Sequence, residues 1–471
     1  MPLPPDPLAP LLASIASCDS AFRLMELLMR FCRDQAPAYR EWEEDVTWQA
    51  DRPAAATEVR SVVATFGGMV FAPEDDPDTL NRIRTAVADY IQKTTPPPVV
   101  RAELLLRGLD HELTPQLRAL YPDFHPGPLA PGQLFPVYWP NLKRNGWLPP
   151  DKLSIAPLSL SQPPGFLPKW ALAPSADVFS GRQVEFVFPA RTDVTPDISG
   201  PLRLGVGVLN ATTAELTWEE DTTPPARFRD VRPRPDIRGA QVVAMCRVAT
   251  LAAAEGVRLL VFPELCIDRL GAEEVFNHVA GLSNRPALVV IGSYHWLDGD
   301  GTARRNTCVA IRSGTPPTRL EHHKIAPFSY PAGEHTFRED IRPGGVVRVF
   351  VGTGWSVVLL ICRDFLDTPV RQLVEALRPT FLCVPSFSST TTPFFGPVEA
   401  VTSSAQTVAV FANGPVPSDR VVAVFGVPRT RDNRDAGSSL AREHVVPEPL
   451  PALPCLVVYD GATDAIRRLS C

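Results

Sequence analysis

Nowhere in the 471 residues does an apolar run approach the roughly 20 residues that cross a bilayer, so a membrane-spanning protein is not expected. The opening stretch MPLPPDPLAPLLASIASCDS lacks the basic start of a secretory signal, and the expected compartment is the cytoplasm. Basic clusters are missing too. With 46 lysines and arginines against 52 aspartates and glutamates, the net charge is -6, and no basic run suits nucleic acid or an anionic lipid surface. The nine cysteines contain no C-x-x-C pair, which argues against a disulfide framework or a zinc module and for free thiols in a reducing compartment. No G-x-S-x-G occurs, which weakens a serine hydrolase, and no Y-x-D-D-like acidic motif in the N-terminal part supports a polymerase.

Proline, at 52 residues, is what the chain has in excess. A chain this long exceeds one ordinary core, so two or three domains are expected. Residues 1–121 read as a small all-α domain of unassigned role. In SAFRLMELLMRFCRD the apolar side chains of Phe22, Leu24, Met25, Leu28 and Met29 recur at helical spacing, as core packing does. PDTLNRIRTAVADYIQKTT and VVRAELLLRGLDHEL repeat that spacing behind prolines that suit a helix start. Residues 122–198 read as an extended connector, with twelve prolines between Pro122 and Pro168. Its aromatic residues Phe135, Tyr138, Trp139 and Trp147 imply that it wraps along a neighbouring domain rather than hanging free.

From residue 199 to 471 the pattern changes. LRLGVGVLN, VRLLVFPE, ALVVIGSYHW, TCVAIRSG, WSVVLLIC, TFLCVPSF, TVAVFANG and VVAVFGVP read as strands, several apolar enough to be buried on both faces. GAQVVAMCRVATLAAAEG and DTPVRQLVEALRP read as helices, and the alternation predicts an α/β domain. Three reactive residues stand at the C-terminal ends of such strands, where open α/β sheets hold their sites: Glu264, Lys324 and Cys362, spaced by 60 and 38 residues.

Together these side chains suit acyl transfer. A neighbouring ammonium and a helix N-terminus both favour the thiolate of a cysteine, and Lys324 and the helix after Cys362 are placed to supply them. Glu264 suits the proton traffic between sulfur, leaving amine and water. Lys324 and the backbone N–H of Arg363 suit a carbonyl oxygen that becomes negative as sulfur attacks, and the expected intermediate is a thioester. Beside these stand plainer readings. A strand-end cysteine is ordinarily a small hydrophobe, as expected of Cys383, and Glu264 and Lys324 taken singly could be surface charges. His322 and His323 are neighbours on a strand and face opposite ways, so they do not readily chelate one metal ion; no metal or cofactor is expected. Asp364 reads as the anchor of the turn after Cys362. The Arg363 side chain either meets a substrate carboxylate or points away while its amide acts.

FPE, HHK and LLICRDF, in the order Glu, Lys, Cys, resemble the nitrilase, or carbon–nitrogen hydrolase, superfamily. The resemblance runs from about residue 201 to 471: LRLGVGVLN resembles that family's opening strand, RRNTCVAIRSG its strand before the lysine, FLCVPS the strand after the nucleophile, and FANG a late Ala-Asn element. It implies an αββα sandwich, a homo-oligomer formed through this domain, and metal-free hydrolysis of small amides, carbamoyl compounds or nitriles. It also implies a second glutamate that orients the lysine, with Glu334 in YPAGEHTF the nearest candidate and Glu339 its competitor. Nitrilases proper carry Trp-Glu after the nucleophile. Arg363 and Asp364 stand there instead, which favours an amide or carbamoyl substrate. Two other readings accompany this one: a sensor or assembly module built on the same fold, suggested by the extra N-terminal residues, and amide transfer, in which an amine takes the place of water.

Overall fold

The computed structural model describes residues 7–39, 52–65, 77–93, 96–138, 167, 169–198, 200–298, 301, 303–428, 453–463 and 465–471. Trp139 and Trp147 lie outside them. The chain divides into two compact units, one of residues 1–137 and 157–175, the other of 138–156 and 176–471.

In the first unit, helices Leu8–Ala16, Ala21–Asp34, Arg52–Thr65, Pro77–Gln92, Pro98–Glu112 and Thr114–Phe124 pack on one another. Ser20 starts the second of them by accepting the Arg23 N–H at 3.2 Å, and its stripe of Phe22, Met25, Leu28 and Met29 is buried. Strands β1 (Leu134–Pro136) and β2 (Trp170–Leu172) pair antiparallel beside them. The Trp170 indole is buried against Phe22 and Tyr121 and donates to Thr114 Oγ1 at 3.0 Å. So part of the segment read as a connector is built into this unit, Phe135 included.

The rest of that segment belongs to the second unit. Strand β3 (Gln183–Val187) pairs in parallel with the strand Val346–Val351, at one edge of a six-stranded sheet. The main-chain order then runs β4 (Arg203–Val208), β5 (Leu216–Asp221), β6 (Arg227–Pro233), β7 (Leu259–Val261), β8 (Leu288–Leu297), β9 (Arg304–Arg312) and β10 (Thr318–His323). It continues with β11 (Ser329–Ala332), β12 (His335–Glu339), β13 (Val346–Val351), β14 (Ser356–Leu359), β15 (Phe381–Ser386), β16 (Val408–Asn413), β17 (Ala423–Gly426), β18 (Cys455–Asp460) and β19 (Ala465–Ser470). Three sheets result: a seven-stranded one ordered β10-β9-β8-β7-β4-β18-β19, a six-stranded one ordered β17-β16-β15-β14-β13-β3, and a small one ordered β11-β12-β6-β5.

The two large sheets face each other, with β15 and β16 against β7 and β8. Helices Arg238–Ala254 and Arg269–Gly281 cover the seven-stranded sheet, burying Met245, Val248 and Val275 against Leu260, Val289 and Ile311. Helices Thr368–Leu377 and Thr392–Ser404 belong to the other side, where Phe394 packs on Phe411 with ring centroids 4.4 Å apart. The result is the αββα sandwich. Its central strands are buried on both faces, which is why they read as unbroken apolar runs.

Two local devices bring strand ends together. The parallel pairing of β14 with β15 ends at Leu359 and Cys383, so Pro385 lies past the ladder; its missing N–H costs no bond to β14, while its carbonyl accepts the Cys362 N–H at 2.9 Å. In β8 the pairing with β9 slips between Val290 and Gly292, and Gly292 takes φ +96. A Cβ there would come within 2.2 Å of the Pro263 carbonyl oxygen, directly before Glu264. Gly292→Ala is expected to lower unfolding free energy by about 2–4 kcal/mol, the sum of left-handed strain and overpacking. Gly281→Ala, where an added Cβ meets nothing within 4 Å, serves as the near-neutral control in the same urea titration.

Candidate active site

The structure brings Glu264, Lys324 and Cys362 to one place, buried to 2%, 2% and 3% exposure. Each follows a strand: Glu264 comes after β7, Lys324 directly after β10, and Cys362 after β14. The reading of WSVVLLIC as one strand up to the sulfur needs a correction, because β14 stops at Leu359. Leu360 and Ile361 continue as buried chain, and Cys362 turns sharply at φ +44 and ψ -99, a conformation that L-residues rarely adopt. The helical turn that follows, Arg363–Leu366, is a single turn; the longer helix begins only at Thr368, where Asp367 accepts the Val370 N–H at 3.2 Å.

Lys324 Nζ lies 2.7 Å from Glu264 Oε1 and 2.7 Å from Glu339 Oε2. The position opposite the lysine is therefore held by Glu339, and the expectation for Glu334 is corrected. Strand alternation is the reason: in β12 only Phe337 and Glu339 point inward, whereas Glu334 sits in the tip between β11 and β12 and is exposed. Asn306, at the inner end of β9, donates through Nδ2 to Glu264 Oε1 at 2.9 Å and to Glu339 Oε1 at 2.8 Å.

Counting donors separates the two carboxylates. Glu339 receives Asn306 and His295 on Oε1 (2.8 and 3.0 Å) and the Phe328 N–H and Lys324 on Oε2 (2.9 and 2.7 Å), so its lone pairs are filled. Glu264 receives Lys324 and Asn306 on Oε1 and only the Phe387 N–H on Oε2, at 2.9 Å. One lone pair on Glu264 Oε2 is open among the described residues. Their proton affinities diverge in the same sense. Burial, with the Glu339 charge behind it, raises the Glu264 carboxyl above its ordinary value despite Lys324. For Glu339 burial is outweighed by Lys324 and His295, and it is held well below the usual carboxylate range. Burial alone would lower Lys324, yet the flanking carboxylates raise it well above the usual lysine value.

Cys362 departs from expectation in one respect. Burial and the Glu264 charge push its thiol up to about 12, against the opposing pull of Lys324 and of Ser386. Burial thus favours the thiol over the thiolate. Ser386 Oγ donates to Sγ at 3.2 Å, while the next residue, Phe387, bonds Glu264. Asn413, the asparagine of FANG, ties the following residue: it accepts from the Ser388 N–H at 2.9 Å and donates to the Ser388 carbonyl at 3.0 Å.

Asp364 does more than anchor a turn. Its Oδ1 accepts the N–H groups of Ile325 and Ala326 at 2.8 and 2.7 Å, and its Oδ2 accepts that of Ile361 at 3.1 Å and faces His322 Nε2 at 3.2 Å. One carboxylate thereby ties the residues after Lys324 to the residue before Cys362. The Arg363 side chain is exposed, and its N–H has no acceptor among the described residues. His322 and His323 have separate partners, Asp364 and Thr307. Among the described residues no group of three or more His, Cys, Asp or Glu is arranged to hold a metal ion, and no helix is long and apolar enough to cross a membrane. Sequence reading missed Asn306, His295 and Ser386; the available signal was a polar residue inside an otherwise buried strand.

An αββα sandwich with Glu, Lys and Cys at three strand ends, in that chain order and in one buried cluster, gives the second unit a nitrilase-like fold. No protein-family model matches the chain. It is 35% identical over 124 residues to proteins named as hydrolases from two strains of Mycobacterium tuberculosis, a stretch covering 24% of this chain and 43% of each of them. The chain thus spans less than half the length of these curated relatives. Similar solved structures include an amidase from Nesterenkonia sp. (16% identity, TM-score 0.38, 56% of this chain and 92% of that one). Others are a member of branch 10 of the nitrilase superfamily from Saccharomyces cerevisiae (13%, 0.35, 48% and 83%) and a glutamine-dependent NAD+ synthetase from Acinetobacter baumannii (13%, 0.37, 57% and 48%). Likenesses of that size do not bear on substrate.

Asp364→Asn leaves one buried N–H facing an amide NH2 group, and is expected to cost about 2–3 kcal/mol in urea unfolding, as loss of a hydrogen bond to a charged group does.

Proposed function

We propose that the nitrilase-like domain is a cysteine-dependent hydrolase that cleaves the carbon–nitrogen bond of a small amide or N-carbamoyl compound. The observation that carries this reading is the split between two buried carboxylates on one lysine: Glu339 is saturated with donors, while Glu264 keeps an open lone pair and a raised proton affinity. Such divergence supports Glu264 as base and acid and Glu339 as permanent counter-ion of Lys324.

In the first half-reaction Glu264 accepts the Cys362 proton as sulfur attacks the carbonyl carbon, and the carbonyl electron pair moves onto oxygen. The Lys324 ammonium and the unpaired Arg363 N–H suit that oxygen. Collapse reforms the carbonyl and breaks the carbon–nitrogen bond; the departing amine takes the proton back from Glu264, leaving a thioester on Cys362. Water then gives a proton to Glu264 and its oxygen to the acyl carbon. The thiolate leaves, recovers that proton, and releases the acid. Arg363 and Asp364 after the nucleophile support an amide or carbamoyl substrate over a nitrile, and Asp364 is fully engaged in holding chain segments.

Ammonia release is to be measured across amide, ureido and nitrile compounds for wild type and Cys362→Ala; loss of release with the alanine variant is expected, and equal release by both proteins sinks the reading. Glu264→Gln separates the base from the nucleophile. Because the Glu264 charge raises the thiol, removing it shifts Cys362 below about 12, so alkylation by iodoacetamide at pH 8 speeds up while turnover is lost. Peptide mass spectrometry following Cys362 reads the first effect and the ammonia assay the second.

A further inference from the structure

Glu339 is useful only if it stays ionised and fixed, and the residue that meets it from β8 is His295. That side chain is 1% exposed, and the reaction outlined above gives it no task. Its ring nitrogens have different neighbours. Nδ1 accepts the Val231 N–H at 3.2 Å, so it bears a lone pair. Nε2 faces Glu339 Oε1 at 3.0 Å, so it carries the proton and donates it. The ring is thereby fixed as one neutral tautomer.

The N–H that fixes it comes from the small sheet. In β6 Asp230 takes φ +53, beside an irregularity in the pairing of β5 with β6, and Arg304 holds its carboxylate at 3.2 Å. The kink precedes Val231 directly. In the same sheet β6 runs parallel to β12 with Phe228 opposite Glu339, so one strand supports both the histidine and the carboxylate it touches. A strained non-glycine residue beside a catalytic cluster is where a positioning device is expected.

We infer that His295 is a positioning residue of the proposed hydrolase: locked as its Nε2–H tautomer by the Val231 N–H, it holds the Glu339 carboxylate against Lys324, so that Lys324 stays charged and Glu264 stays available as the base. The inference rests on the hydrolase reading for its functional consequence. The groups facing Glu339 are Lys324 from the end of β10, His295 from β8, Asn306 from β9 and the Phe328 N–H; Glu264 stands across Lys324, and the neighbouring Asp340 is engaged by Arg227 and Arg304. Loss of the His295 donor raises the proton affinity of Glu339. As pH falls, Glu339 then neutralises sooner and its hold on Lys324 weakens.

Two variants split this role from plain packing. His295→Asn can accept the Val231 N–H but is too short to reach Glu339, whereas His295→Gln carries a donor at about the distance of Nε2. The asparagine variant is expected to lose kcat/KM by about tenfold or more, and the glutamine variant to recover most of that loss, the size expected for a hydrogen bond to a charged group. Carbon NMR titration of the Glu339 carboxyl, identified by Glu339→Gln, should show its midpoint rising in the asparagine variant but not in the glutamine one. Equal midpoints in wild type and His295→Asn overturn the inference, as do equal activity losses in both variants that track their melting temperatures. A wild type that releases no ammonia from any compound sinks the hydrolase reading instead, and the carboxyl midpoint then decides the part of His295 alone.

Discussion

The second unit depends on one buried lysine held between two buried carboxylates. Taking three charges out of water costs several kcal/mol for each ion unless every lone pair and proton finds a partner. Lys324 meets both Glu264 and Glu339, Asn306 bridges the two carboxylates, and backbone N–H groups of Phe328 and Phe387 meet the remaining oxygens. Burial drives the Glu264 carboxyl up, while Lys324 and His295 hold that of Glu339 down. A site of this kind is costly as a piece of stability and suited to proton transfer, because its asymmetry is fixed before any substrate arrives.

The sandwich supplies what that cluster needs from both sheets. Glu264, Asn306, His295 and Lys324 come from the seven-stranded sheet or its ends, while Cys362, Ser386 and Phe387 come from the six-stranded one. The Glu264 N–H donates to the Ser386 carbonyl at 3.3 Å, so the sheets are bonded to each other at the site itself. Asp364 joins them a second time. The small sheet of β5, β6, β11 and β12 adds Glu339 and the N–H that fixes His295, and it lies against the buried Glu264–Lys324–Glu339 cluster rather than apart from it.

Much of this was legible in the residues. Strands buried on both faces appear as apolar runs of β-branched residues, so β4, β7, β8, β9, β14, β15, β16 and β17 could be found from local pattern. The order of FPE, HHK and LLICRDF pointed to Glu264, Lys324 and Cys362 because each sits where such a run stops. The strands β3, β5, β6, β11 and β12 could not be found in that way. They are short, polar on one face or near prolines, and exist because a partner strand distant in sequence pairs with them.

The same division explains the choice between Glu334 and Glu339. Both follow Lys324 at plausible distance, and only the register of β11 against β12 turns one inward and the other out. The protonation of Cys362 is likewise a tertiary property: a nearby lysine suggests a thiolate, yet burial and the Glu264 charge outweigh it. The sequence by itself determined which residue types stand at the strand ends and in what order, because period and composition are local. Which carboxylate is full, which is open, and where the sulfur keeps its proton were decided only by the tertiary structure, since donors and desolvation come from chain segments far apart in sequence.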